Sequence, residues 1–318
     1  VYFLRYKNIY YMTYDLIIIG GGPAAIAAGV YAARKQLTTL VIAKEFGGQS
    51  IVSPDIHNWI GTPSISGEDL AKSLKNHLFE YKGKYLTIEE GSIVTKVSEN
   101  DGAFIVTTEN GPSFESKTVL VATGANRRKL SVPGAKEFDQ KGLTYCATCD
   151  GPLFSGMDVV VIGGGNAGFE SASQLLAYVK SVTILESNDT FRADGITTEK
   201  VLANKNIAGI TNADTVEILG DKMVHGLKYK DSKTGEEHTL EAQGIFVEIG
   251  VVPNTSMVES VVALNNFKHI QVDPRTQQST LKGIWAAGDC TDGLYAQNNI
   301  AVGDAVKAVE DIYIHLKA

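Results

Sequence analysis

One pattern of apolar and small residues occurs twice along the chain. Asp15-Leu-Ile-Ile-Ile19 is a short run of nearly continuous apolar side chains, as in a strand buried on both faces of a parallel sheet. It leads into Gly20-Gly-Gly-Pro-Ala-Ala25, a helical stretch to about Lys35, and a second strand from Thr39 to Ile42. Asp158-Val-Val-Val-Ile162 repeats the arrangement. It is followed by Gly163-Gly-Gly-Asn-Ala-Gly168, a helix expected to run to about Lys180, and a strand from Val182 to Leu185. Each copy is a β-α-β unit with a G-x-G-x-x-G/A turn between strand and helix.

The small residues of that turn serve a ligand. The first permits the tight bend, the second lets the backbone approach a pyrophosphate, and the third lets helix and strand pack closely. Unpaired N–H groups and the positive end of the helix dipole then meet the phosphates. A lone glycine fingerprint is weak evidence, whereas two in strand-to-helix context predict two dinucleotide sites. The candidate positions are Gly20, Gly22 and Ala25 in the first copy and Gly163, Gly165, Asn166 and Gly168 in the second. An acidic residue for a ribose hydroxyl is expected about 20 residues after the glycines. Glu186 stands there in the second copy. A carboxylate at that place accepts from the free 2′-hydroxyl of NAD and repels the 2′-phosphate of NADP. In the first copy the place is taken by Ala43-Lys-Glu45, where either Glu45 or a backbone group serves.

Composition narrows the class. A length of 318 residues suits two domains, and 44% hydrophobic residues suffice for two cores. The 32 glycines against 8 prolines fit a fold with many tight strand–helix turns. A net charge of -7 gives no electrostatic reason to expect nucleic acid or an anionic membrane as partner. Leu16 to Ala33 is uncharged and long enough for a membrane span, but the strand, glycine turn and Ala-rich helix explain it better. Residues 1–12 are expected to form an extension outside the fold, or to reflect a mis-assigned start; they make a poor signal peptide. Three cysteines are too few for a secreted disulfide scaffold, so a reducing cytoplasm is expected.

Several further motifs carry a resemblance. Tyr145-Cys-Ala-Thr-Cys-Asp-Gly151 resembles the redox motif of the low-molecular-weight thioredoxin reductase family, which belongs to the FAD-dependent pyridine-nucleotide–disulfide oxidoreductases. Gly151-Pro-Leu-Phe-Ser-Gly156 and Phe46-Gly-Gly-Gln49 are closer to the reductase portion of the alkyl hydroperoxide reductase flavoprotein subunit. Val121-Ala-Thr-Gly124, Gly250-Val-Val-Pro-Asn254 and Trp285-Ala-Ala-Gly-Asp-Cys290 extend the likeness over nearly the whole chain from about Thr13. The resemblance implies an α/β protein with two Rossmann-like dinucleotide-binding domains. The FAD domain is discontinuous, over residues 13–126 and 255–318, and the NAD(P)H domain with the Cys pair is inserted over 127–254. It places Gln49, Asn58, Thr123, Gly124, Gly288, Asp289 and Gln297 beside FAD, together with Gly20, Gly22, Ala25 and Glu45. A homodimer is implied in the same way.

Two departures from the family pattern matter. NADPH-using members carry His-Arg-Arg after the second strand of the inserted domain, where this chain has Glu186-Ser-Asn188, although Arg192 remains further along. A doubly charged phosphate facing a carboxylate without that arginine pair binds poorly, so NADH is favoured over NADPH. The peroxide-reducing relatives also carry a thioredoxin-like module at their N-terminus, and none appears in this sequence. The expected electron acceptor is therefore a separate thioredoxin- or glutaredoxin-like protein.

The expected cycle runs from NADH to FAD, to the Cys146–Cys149 disulfide, and to a partner's disulfide by thiol–disulfide exchange. The resemblance turns Cys149 towards the flavin and makes Cys146 its redox partner; which sulfur attacks the substrate stays open. Asp150 is expected either to protonate the leaving thiolate or simply to cap a helix. A zinc site would need more cysteine or histidine near the pair, and the nearest histidines are His77 and His225, so no metal is expected. Cys290 reads as a packed residue or a third redox centre, and His57 as a surface residue or a flavin-side base. Rival functions are a flavin NADH oxidase, which has no need of a dithiol, and a non-catalytic redox sensor. Alternation between two domain orientations is expected, with hinges near Asn126 to Arg128 and Asn254 to Ser256.

Overall fold

The computed structural model describes residues 13–52, 56, 58–109, 111–145 and 147–318, the side chains of Thr148 and Cys149 excepted. The expectations for residues 1–12, His57 and Cys146 lie outside the described residues. The chain divides into two compact units. One comprises the described residues up to Asn126 together with Val252–Ala318, and the other is Arg127–Val251.

The first unit is built on a seven-stranded sheet. Its order is Leu86–Glu90, Thr39–Ala43, Tyr14–Ile19, Ser113–Val121, Ala103–Thr108, Val94–Asn100, with Ile284–Ala286 also pairing to Ser113–Val121. The pairs around Tyr14–Ile19 are parallel, and the last two pairs in the order are antiparallel. Side chains alternate across a strand. Leu16 and Ile18 therefore enter one core with the Ala-rich helix Pro23–Arg34 and helix Asn298–Lys317, while Ile17 and Ile19 enter a second core on the other face. This two-sided burial is why the strand carries no polar positions in its interior. Each fully buried isoleucine contributes about 1.5–3 kcal/mol.

The second unit repeats the scheme. A parallel sheet runs in the order Ile207–Ile210, Ser181–Leu185, Asp158–Ile162, Gly244–Val247, Leu143–Thr144. Val160 and Ile162 face one core and Val159 and Val161 the other. An antiparallel sheet, Ala213–Gly220, Val224–Asp231 and Glu237–Glu241, covers one side. Both units are Rossmann-like, as the repeated pattern predicts.

Two local differences from expectation stand out. The second fingerprint helix ends at Leu175, not near Lys180. Its last turn tightens as Ala177 donates to the Gln174 carbonyl and both Tyr178 and Val179 donate to that of Leu175. The chain returns from the second unit between Val251 and Val252, ahead of the 254/255 boundary drawn from sequence. Strand Val251–Pro253 pairs with Ala125–Arg127, so the two crossings share one ribbon.

Candidate active site

The first fingerprint bends as its glycines require. Gly20 has φ +132°, and a Cβ there would lie 2.1 Å from the Ala122 carbonyl oxygen. Gly163 is its counterpart, at φ +120° with a Cβ 2.2 Å from the Glu248 carbonyl oxygen. No L-side chain fits either position.

Helix caps separate structural helices from candidate ligand-binding ones. Gly67–Phe79 is capped by Ser66, which accepts from the Asp69 N–H, and Gly195–Leu202 by Asp194, which accepts from the Thr197 N–H. Pro23–Arg34, Asn166–Leu175 and Asn298–Lys317 have no side-chain cap at Gly22, Gly165 or Gln297. Their first N–H groups remain available as donors. A Cβ at Gly165 would meet nothing within 4 Å, so the backbone there is open to a ligand. These features fit pyrophosphate groups.

The remaining positions assigned to FAD by resemblance gather within the first unit. Gln297 turns its amide away from the helix it precedes: its Oε1 accepts from Asn58 Nδ2 at 2.9 Å. Asn299 Nδ2 donates to the Asn58 carbonyl at 2.7 Å, and Ser50, beside Gln49, donates to Asn298 Oδ1 at 3.0 Å. Thr123 donates through its hydroxyl to the Asn254 carbonyl, while Asn254 returns Nδ2 to the Thr123 carbonyl at 3.1 Å and its N–H to that of Gly124 at 2.9 Å. Gly288 leads into Asp289, which is half-buried. Burial pushes the Asp289 carboxyl above the usual carboxylate range, although His269 nearby pulls it down. Its carboxylate has no hydrogen-bond partner among the described residues, which fits a ligand's hydroxyl groups. Glu45 holds its side chain in solvent, whereas its carbonyl oxygen lies over Gly21. Cys290 is fully buried and donates to the carbonyls of Val121 and Ala287; burial raises its thiol pKa. It is a packed residue.

In the second unit Glu186 is only 4% exposed. Its Oε2 accepts from the Gly164 N–H at 2.9 Å. Its Oε1 accepts from the Asn188 N–H at 2.9 Å, from Asn188 Nδ2, and from Ser187 Oγ. Arg192 lies 3.7 Å away and is largely exposed. Burial pushes the carboxyl up, but the bonds from Asn188 and Gly164 outweigh it with help from Arg192, so its pKa is lowered. Sequence reasoning identified Glu186 and missed Asn188, whose role depends on the loop folding back on the carboxylate. Asn166 opens the fingerprint helix, and its Oδ1 accepts from the Asp194 N–H at 2.9 Å. Gly168 sits in the same helix, pressed against the Gly163 carbonyl.

The Cys motif follows the edge strand Leu143–Thr144. Cys149 lies in a single helical turn, Ala147–Asp150. Asp150 precedes the 3-10 turn Gly151–Phe154 but makes no cap hydrogen bond; its carboxylate accepts from the Thr144 hydroxyl instead. The capping alternative is therefore set aside. Asp150 and Thr144 line a cleft of about 310 Å³ with Leu153, Met157 and Met223. Lys129 lies over the Tyr145 ring next to the motif. Among the described residues, no three His, Cys, Asp or Glu side chains gather as metal ligands, and no helix is long and apolar enough to cross a membrane.

The family model described as pyridine nucleotide-disulphide oxidoreductase matches residues 14–305. The chain is 42% identical over 303 residues to the NADH dehydrogenase of Bacillus subtilis (strain 168), covering 95% of this chain and 58% of that protein. It is 41% identical over 296 residues to the F subunit of the alkyl hydroperoxide reductase of Escherichia coli (strain K12), covering 93% and 57%. It thus spans less than three-fifths of the length of these relatives. Among solved structures, the thioredoxin reductase of T. acidophilum superposes with a TM-score of 0.81 at 38% identity, covering 96% of this chain and 99% of that one. The Lactococcus lactis thioredoxin reductase gives 0.83 at 32% identity, with the same coverage. Two glycine fingerprints, a Cys-x-x-Cys beside the second, and matches along nearly the full length lead to one conclusion: the chain belongs to the pyridine nucleotide-disulphide oxidoreductase family, as an FAD-binding flavoenzyme like thioredoxin reductase and the alkyl hydroperoxide reductase flavoprotein.

Proposed function

We propose that the chain carries electrons from NADH through FAD to the Cys146–Cys149 disulfide, and on to the disulfide of a thioredoxin- or glutaredoxin-like protein. The first unit is the FAD domain in this reading, and the second binds NADH. FAD, when bound, accepts a hydride and passes two electrons to the disulfide. The chain's residues bind, orient and move protons. The uncapped amides at Gly22 and Gly165 receive pyrophosphates, and Asp289, Asn58 and Gln297 accept or donate hydrogen bonds along FAD. Glu186 receives the adenosine ribose and repels a 2′-phosphate.

The partner step balances without a further reagent. One thiolate of the reduced pair attacks the partner's disulfide, a mixed disulfide forms, and the second thiolate resolves it. The pair is oxidised and the partner reduced. Asp150, held by Thr144, supplies a proton to the departing thiolate. A homodimer in the cytoplasm completes the reading.

The observation that carries the proposal is the Cys-Ala-Thr-Cys-Asp motif in the same unit as the second dinucleotide fingerprint. Anaerobic titration of the flavoprotein with NADH and, separately, NADPH tests it. Bleaching at far lower NADH concentration, with uptake of two electron pairs, is expected. NADPH preference would overturn the role given to Glu186. Failure of both nucleotides would overturn the reductase itself.

A second reading has one specific observation behind it, the 42% identity to a protein described as NADH dehydrogenase. In that reading electrons leave FAD without passing through the dithiol. A Cys149→Ser variant with undiminished NADH turnover on the physiological acceptor would favour it.

A further inference from the structure

One half-buried carboxyl in the second unit has no part in the reading above. Glu248 directly follows strand Gly244–Val247, whose neighbour in the sheet is Asp158–Ile162; Ser181–Leu185 lies on the other side of that central strand. All three strands are parallel. The chain leaves the central strand for Ser181–Leu185 on one side and later reaches Gly244–Val247 on the other. The carboxyl ends of the central strand and of Gly244–Val247 therefore flank a topological switch point, where open α/β sheets bind their ligands. The Glu248 N–H donates to the Ile162 carbonyl at 2.8 Å, and its own carbonyl closes over Gly163.

The side chain is paired through one oxygen and keeps the other to accept from a ligand. It is 12% exposed. Its Oε1 accepts from Ser171 Oγ at 2.7 Å, and Arg127 Nη1 stands 3.7 Å away. Its Oε2 has no hydrogen-bond partner among the described residues. Burial pushes its pKa up, Ser171 and Arg127 draw it down, and Glu170 adds to the push. The Oε2 oxygen is not sealed from solvent, so a ligand's hydroxyl can reach it.

Glu186 and Glu248 flank the glycine turn on opposite sides. A dinucleotide lying across the switch point places one ribose on each side. With the adenosine ribose at Glu186, the second ribose falls on the side of Gly244–Val247. We propose that Glu248 is a coenzyme-positioning residue that accepts hydrogen bonds from the hydroxyls of the nicotinamide-side ribose. The inference rests on the assignment of the second unit to the nicotinamide coenzyme.

Calorimetric titration of the FAD-loaded protein with ADP and with ADP-ribose tests it, because only ADP-ribose carries the second ribose. Glu248→Ala is expected to weaken ADP-ribose about tenfold and to leave ADP within about twofold. Glu248→Gln keeps the Ser171 bond and the shape, and is expected to fall between wild type and the alanine variant. Glu186→Ala is expected to weaken both ligands. Equal weakening of ADP and ADP-ribose by both Glu248 variants, or no weakening of either, overturns the proposal. So does an Arg127→Ala variant that weakens ADP-ribose as much as Glu248→Ala does and spares ADP in the same way, since Glu248 would then be a strut for Arg127. Wild-type protein that binds 2′-phospho-ADP-ribose better than ADP-ribose overturns the NADH preference alone; the comparison then runs with 2′,5′-ADP and 2′-phospho-ADP-ribose. Wild-type protein that binds none of these overturns the coenzyme reading and the proposal together.

Discussion

The two glycine turns share a backbone and differ in what closes over the residue between the first two fingerprint glycines. At Gly164 a buried carboxylate accepts the N–H, and three donors from its own loop hold that carboxylate in place. At Gly21 the carbonyl of Glu45 lies overhead, and the Glu45 side chain points into solvent. The first turn therefore sets no fixed charge against a ribose, and the second does. A neutral carbonyl accepts a hydroxyl but discriminates little against a phosphate, whereas an ionised carboxylate does both. In the proposed reading, selectivity between the two nicotinamide coenzymes is therefore set at the second turn.

The strongest way to separate the two regions is to remove the chemistry of one. Cys149→Ser is expected to abolish disulfide reductase activity while FAD content and bleaching by NADH persist; a coupled assay with a thioredoxin-like substrate and anaerobic spectra read both. Next in size is the backbone. Gly163→Ala forces a Cβ onto the Glu248 carbonyl at a φ suited to glycine, and is expected to cost several kcal/mol or displace the turn, with NADH binding lost and FAD retained. Gly20→Ala should do the reverse, reducing FAD content. Thermal melts and flavin occupancy check the pair.

A smaller effect concerns charge alone. Glu186→Gln is expected to reduce the preference for NADH over NADPH by about tenfold, measured as a ratio of kcat/KM values. Because the folded pKa of Glu186 is lowered, its contribution to stability is full above its unfolded value and is lost as pH falls through the lower folded value. Wild type should therefore lose more stability than Glu186→Gln on acidification below the ordinary carboxylate range, in melts at graded pH. The smallest effect tests the caps. Ser66→Ala is expected to cost about 1 kcal/mol of stability and to leave both coenzyme affinities unchanged, because that helix end is closed by its own side-chain cap.

Much of the fold was legible from short stretches. The runs at residues 15–19 and 158–162 declared strands buried on both faces, and the glycines after them declared the turns. Glu186 followed from its distance to those glycines. The end of the second fingerprint helix was not legible, since nothing between Leu175 and Lys180 is a strong breaker; the tightened turn at Tyr178, whose carbonyl accepts from Gly156, ends it. Asp150 left two roles open along the chain, and only its bond from Thr144 removed capping from them.

What the sequence determined by itself was what depends on neighbours along the chain: strand alternation, turn geometry, and the kind of chemistry that Cys146-Ala-Thr-Cys149 supports. The tertiary structure alone decided which distant groups meet. Asn58 and Gln297 are 239 residues apart and share a hydrogen bond, and Glu248 reaches Ser171 across 77. Such pairings depend on sheet order and helix packing, which sum over many residues. No local pattern around either partner carries that information.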